Sequence, residues 1–169
     1  ILIRLISPVL VFTAEEIWQS HELFKKQSVS IFMAPQKTLS EIESSISDED
    51  WKKIFAVKDA VNQSIEKARA DSVIKGSLDS KIIISCDKKT YNALEKIEEE
   101  LKFVFISSEV EIAESSSSKL DIEVTNFDQK KCIRCWNKCS SVGLYVEDPE
   151  ICSRCYTNVY GDGEIRKFV

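Results

Sequence analysis

Histidine is nearly absent: His21 is the only one in the sequence. It has no metal-ligand company and no nucleophile partner, so neither a Ser–His–Asp set nor a histidine-rich metal centre can be built round it. Glycine is scarce too, with four residues. Gly161-Asp162-Gly163 lacks the third glycine of a dinucleotide-binding loop, and no Walker-type phosphate loop occurs. No apolar run approaches the roughly 18 residues of a membrane span, and Arg4 and Pro8 interrupt the first stretch, so neither a span nor a signal peptide is expected. An excess of positive charge is also missing. The net charge is −5, which excludes a whole-domain electrostatic signature for nucleic acid.

The charge is unevenly spread. Residues 1–126 carry 16 basic and 22 acidic groups, whereas residues 127–169 carry 7 basic and 6 acidic groups. Nucleic-acid binding would have to come from local patches. The apolar share, 43%, is enough for a core, and the length allows one ordinary domain or two to three small ones. The sequence opens inside an apolar run, Ile1-Leu2-Ile3-Arg4, and reads as a piece of a longer protein.

Local patterns predict the following elements. Residues 1–24 read as helix broken by a turn at Pro8. Thr13 and Glu16 fit a capping box, with Phe12 and Ile17 as its staple and Ile17 and Trp18 on the apolar side. Residues 25–50 read as connection with a short extended segment at 28–32, and Ser47 or Asp48 can cap the next helix. Trp51, Ile54, Val57, Val61, Ile65 and Ala68 recur at three- and four-residue spacing, which predicts a helix over 50–73 stopped near Gly76. Four strands are predicted, at 81–86, 103–106, 110–112 and 120–124, with helical spacing over 88–101. The Glu98–Glu100 run reads as a solvated helix face, and Cys86 as core.

Five of the six cysteines fall between 132 and 155. Cys132-Ile133-Arg134-Cys135 and Cys152-Ser153-Arg154-Cys155 are two Cys-x2-Cys pairs 16 residues apart. Paired thiols two residues apart reach one ion from one turn, and two such knuckles make a closed tetrahedral sulfur shell. A closed shell has no open position for water, so a structural zinc site is expected, with iron as the less favoured ion. Clustered thiols at this spacing also point to a reducing compartment, the cytoplasm. Cys139 lies inside the loop and could replace Cys135, though its spacing is looser. Arg134, Lys138, Arg154, Arg166 and Lys167 surround the module, with Trp136, Tyr156, Tyr160 and Phe168 interleaved. Basic groups beside aromatics can pair with phosphates and stack on bases. The aromatics also have a packing role open to them in so small a module, and for Trp136 that is the heavier reading.

Two stretches carry a family resemblance. Ser7-Pro8-Val9-Leu10-Val11-Phe12-Thr13-Ala14-Glu15-Glu16-Ile17-Trp18 resembles the end of the helical anticodon-binding domain of class I aminoacyl-tRNA synthetases for Ile, Val, Leu and Met. Cys132-x-Arg134-Cys135-Trp136, Cys152-x-Arg154-Cys155-x-x-Asn158-Val159 and Gly161-Asp162-Gly163-Glu164-x-Arg166-Lys167-Phe168 resemble the C-terminal zinc module of the bacterial isoleucyl-tRNA synthetases. Glu66-Lys67-Ala68-Arg69-Ala70-Asp71 and Gly76-Ser77-Leu78 resemble the helix leading into that family's small α/β domain. The family's two catalytic signatures, His-Ile-Gly-His and Lys-Met-Ser-Lys-Ser, are absent, since the one histidine and the one methionine, Met33 before Ala34, match neither.

The resemblance implies an α+β, multi-part chain. Residues 1–47 would end a helical anticodon-binding domain, 48–118 would form a small α/β domain, and 119–169 a strand with a zinc-ribbon-like module. It implies a monomeric parent enzyme that charges tRNA(Ile) with isoleucine using ATP, which only the missing catalytic domain would bind. This piece would help hold the anticodon arm beside the remainder of the synthetase and away from any membrane. Zinc would sit on Cys132, Cys135, Cys152 and Cys155. Arg134, Trp136, Arg154, Arg166 and Lys167 would meet the tRNA. The rival expectations are a free-standing zinc-ribbon interaction module and a rubredoxin-like iron electron carrier.

Overall fold

The computed structural model describes residues 2–35, 45–117 and 119–164, which form two compact units on either side of Ser44 and Ser45. The first holds α1 (Leu2–Ile6), α2 (Val11–Ser20) and α3 (Glu22–Lys25), followed by a 3-10 turn at Ile31–Met33. Its core is Ala14, Trp18 and Ile31, backed by Ile3, Phe24 and Ala34. Trp18 stacks on Phe24 at 5.1 Å, lies under the Arg4 guanidinium, and donates its indole N–H to the Ser28 carbonyl at 3.0 Å. Glu15 accepts from the Ser30 hydroxyl and the Ile31 amide, which ties the 3-10 turn to α2.

The start of α2 departs from the capping-box expectation. The helix begins three residues earlier, at Val11, with Leu10 in the cap position and no side-chain cap. The Leu10 carbonyl takes the Ala14 amide, so Thr13 already lies inside the first turn and cannot cap. Phe12 is 89% exposed, so there is no staple, and of the pair Ile17 and Trp18 only Trp18 is buried. The segment at 28–32 curls into the 3-10 turn instead of extending.

The second unit is a mixed helix and sheet layer. α4 (Asp48–Ala70) starts at Ser47, whose hydroxyl accepts the Asp50 amide. Its buried stripe is Ile54, Val57, Val61, Ile65 and Ala68, the spacing read from the sequence. It stops before Gly76: Asp71 is the C-cap and Ser72 takes a φ of +60°. β1 (Ser80–Cys86) follows, then α5 (Lys88–Glu95), α6 (Leu101–Val104), β2 (Glu109–Glu114) and β3 (Asp121–Asn126).

The sheet order is β2-β1-β3, with β2 parallel and β3 antiparallel to the central strand. α5 and α6 make the crossover that a parallel β1–β2 pair requires. β1 alternates strictly, burying Ser80, Ile82, Ile84 and Cys86 against the helices. The 103–106 run is not a strand. Leu101 and Phe105, four residues apart, are both buried while Ile106 is 56% exposed with a φ of +55°, so helical burial won over β propensity.

One polar tie fixes α4 to α5. Asp50 accepts from Lys96 at 2.6 Å and from the Ser47 hydroxyl at 2.7 Å. Lys96 first, then Ser47, hold its carboxyl down to about 2, against about 3.9 for an unfolded aspartate. Stability from this tie is whole above the unfolded value and disappears as pH falls through about 2. Asp50→Asn should therefore melt lower at pH 7 and lose less Tm between pH 5 and pH 2 than the parent. Ile84→Ala, at a fully buried central-strand site, should cost about 2–5 kcal/mol in urea denaturation.

Candidate metal centre

Beyond β3 the chain has few apolar side chains to bury, and its small core is made chiefly of the cysteines. Cys132, Val142, Ile151, Cys152 and Cys155 are buried together, with Cys135, Cys139 and Tyr156 packed against them. Two turns present the sulfurs. In the first, the Trp136 amide donates to the Cys132 carbonyl at 2.9 Å and the Cys132 amide to the Asn137 carbonyl at 2.9 Å. The second is the start of α7 (Ser153–Tyr160), with Cys152 as its N-cap residue. The Cys152 amide donates to the Cys132 sulfur at 3.3 Å, linking the turns directly.

The Sγ atoms of Cys132, Cys135, Cys152 and Cys155 all lie within 4.8 Å of one another. Those of Cys135 and Cys152 are 3.8 Å apart. A tetrahedral ion with metal–sulfur bonds of about 2.3 Å holds its sulfurs about 3.8 Å apart, so the donor set fits such an ion. Among the described residues no other group of His, Cys, Asp or Glu is so placed.

The thiols are electrostatically unlike. Burial alone would raise Cys132, but backbone amides of Cys135, Cys152 and Arg134 hold it down to about 6. Burial pushes Cys135 and Cys152 upward, and the neighbouring sulfur charge adds to the rise at Cys152. Ionising Cys135 and Cys152 is therefore favoured by a cation among the sulfurs.

Cys139 lies outside the group. Its sulfur faces the Ser141 hydroxyl at 3.3 Å. That hydroxyl also accepts the Ser153 amide at the head of α7.

The predicted contact residues do not form one patch of free cations. Arg134 donates to the Cys155 sulfur at 3.6 Å, from the opposite turn. Arg154 is bound by both carboxylate oxygens of Glu164, and its guanidinium lies 4.7 Å from the Phe103 ring centroid. It thereby joins α7 to α6. Lys138 lies between Asp79 at 3.9 Å and Asn126 at 3.0 Å. Arg166 and Lys167 lie outside the described residues. Trp136 is not packed inside the module, contrary to the heavier expectation. It is 63% exposed and has a φ of +65°, a conformation that costs a non-glycine residue about 1–3 kcal/mol. With Lys131, Cys132 and Ile133 it lines a shallow apolar concavity on the first turn.

Sequence reasoning missed Ser108 and Asp79. Ser108 is buried, donates to the Leu78 carbonyl and accepts the Lys138 amide at 2.7 Å. These bonds seat the metal loop on the end of the sheet. No motif marks them, because their partners lie 30 residues away in sequence.

The N-terminal half of the chain defines a class. Residues 1–84 match the family model described as "Anticodon-binding domain of tRNA ligase". The whole chain is similar to isoleucine–tRNA ligases. It is 34% identical to that of Shewanella halifaxensis over 99% of this chain and 19% of the relative. It is 36% identical to those of Alcanivorax borkumensis and Psychrobacter arcticus, again over 99% of this chain, and over 19% and 20% of the relatives. The chain belongs to the isoleucine–tRNA ligase family, and spans about a fifth of the length of the curated relatives it matches.

The ligand set has a direct check by elemental analysis. The purified chain should carry about one equivalent of zinc, since one four-sulfur shell fills one tetrahedral ion. Cys132→Ser should abolish it and Cys139→Ser should keep it. Retention in the first variant or loss in the second would mean a different set of donors.

Proposed function

We propose that this chain is the tRNA-holding part of an isoleucine–tRNA ligase, with one zinc ion as a structural element. Zinc suits the four soft donors in a closed shell, which leaves no coordination position for water or substrate. Bound there, the ion supplies cross-linking of the two turns and no chemistry. In this reading residues 1–47 end a helical anticodon-binding bundle, 48–118 form a small α/β domain and 119–169 a strand with a zinc-ribbon-like module; the match over residues 1–84 supports the first of these. Activation of isoleucine with ATP and its transfer to tRNA(Ile) belong to parts of the relatives that this sequence does not span. In this reading the parent works in the cytoplasm as a monomer, and the chain meets the anticodon arm.

The observation that carries the proposal is Trp136. A large aromatic held out to solvent in a strained backbone conformation has no packing purpose, but it offers a face to an unpaired base. Lys131 and Arg134, both exposed on the same turn, bring positive charge next to it. Arg154, engaged by Glu164 and Phe103, contributes by holding α7 to α6. Arg166 and Lys167 supply further phosphate contacts. No helix among the described residues is long and apolar enough to cross a membrane.

Titration of the zinc-loaded chain with tRNA(Ile) tests the proposal. Trp136→Ala should weaken binding by about 1–3 kcal/mol, the worth of one stacked base. The Arg166→Gln, Lys167→Gln double variant should lower the slope of log affinity against log salt by about 2. An unchanged affinity in the first and an unchanged slope in the second would rule the surface out.

A further inference from the structure

Four thiolates round one divalent ion leave a net charge of about −2 in a pocket where Cys132 and Cys155 are fully buried. Such a charge needs compensation by donors and cations close to the sulfur atoms. Backbone amides supply part of it, as at Cys132. Among the described residues a cation that bonds a shell sulfur is Arg134, between the two cysteines of the first turn, whose Nη1 donates to the Cys155 sulfur of the second turn at 3.6 Å. The contact therefore crosses the metal shell and pairs a guanidinium with a sulfur contributed by the other knuckle.

We propose that Arg134 is a positioning residue of the metal shell, offsetting thiolate charge and fastening the Cys155 sulfur, in addition to any contact with nucleic acid. The inference rests on the metal reading above. It separates two roles that the position of Arg134 in a Cys-x-Arg-Cys motif does not distinguish. A guanidinium has five N–H donors, so one spent on sulfur leaves others for phosphate. Arg154 does not fill the same place. Its guanidinium is bonded to the Glu164 carboxylate and lies over the Phe103 ring, and it acts on the sulfurs through space.

The test uses the 169-residue chain with zinc and, separately, cobalt(II). Zinc release to an excess of chromogenic chelator is timed for the parent, Arg134→Gln and Arg134→Lys. Loss of an outer partner typically costs a metal site about 10–100-fold, so Arg134→Gln should release zinc at least about tenfold faster, with Arg134→Lys between it and the parent. In the cobalt form, the thiolate-to-metal charge-transfer band of Arg134→Gln should move to lower energy, because a sulfur freed of its donor gives electrons more readily. A merely structural surface role would leave that band in place. Release within twofold of the parent, with an unmoved band, overturns the proposal while leaving the metal site intact. A parent chain that takes up neither ion overturns the metal reading itself, and this inference with it.

Discussion

Ionised sulfurs repel one another, and four cysteine sulfurs lie within 4.8 Å of one another near the end of this chain. That conflict organises everything after β3. A segment of some forty residues has too little apolar surface to fold by burial alone, and here the buried cluster is made chiefly of the cysteines themselves. On the metal reading proposed above, an ion cross-links the two turns in place of a larger hydrophobic core. The Cys152 amide and the Arg134 guanidinium, both donating to sulfur, offset charge that water would otherwise have to solvate. The Ser108 and Asp79 contacts connect this segment to the sheet, so the turn carrying Trp136 is not a free arm.

Much of this was legible in the residues. The α4 stripe, the β1 alternation and the Ser47 cap follow from periodicity and capping chemistry that act within one turn or one strand. The double Cys-x2-Cys pattern named four sulfurs that do converge, because the geometry is built into each two-residue spacing.

The misses have a common origin in competition between local signals and tertiary burial. Thr13 looked like a cap, but Leu10 already accepts the first intrahelical bond, so the helix starts ahead of it. Phe103 to Ile106 has strand-like composition, but Leu101 and Phe105 fit the core only as successive turns of helix. Gly76 looked like a helix stop, yet the chain reverses earlier at Ser72, with a left-handed residue that glycine would have suited better. Trp136 was weighted toward packing because small modules need cores. The cysteines occupy that space, and the ring is turned out. Arg154 carried a charge that composition counts as available, but only the fold reveals Glu164 and Phe103 as its neighbours.

The order β2-β1-β3 has a further consequence at its two margins. A three-stranded sheet exposes two rows of unpaired backbone groups, each a template on which another chain could add a strand. Here the outer strands are studded with carboxylates: Glu109, Glu111 and Glu114 on β2, Asp121 and Glu123 on β3. Lys81 partners only Glu111 among them, at 2.6 Å. Two copies approaching margin to margin would bring like charges together before a single ladder bond formed. The acidity of these two strands thus guards the sheet against fibrous self-association.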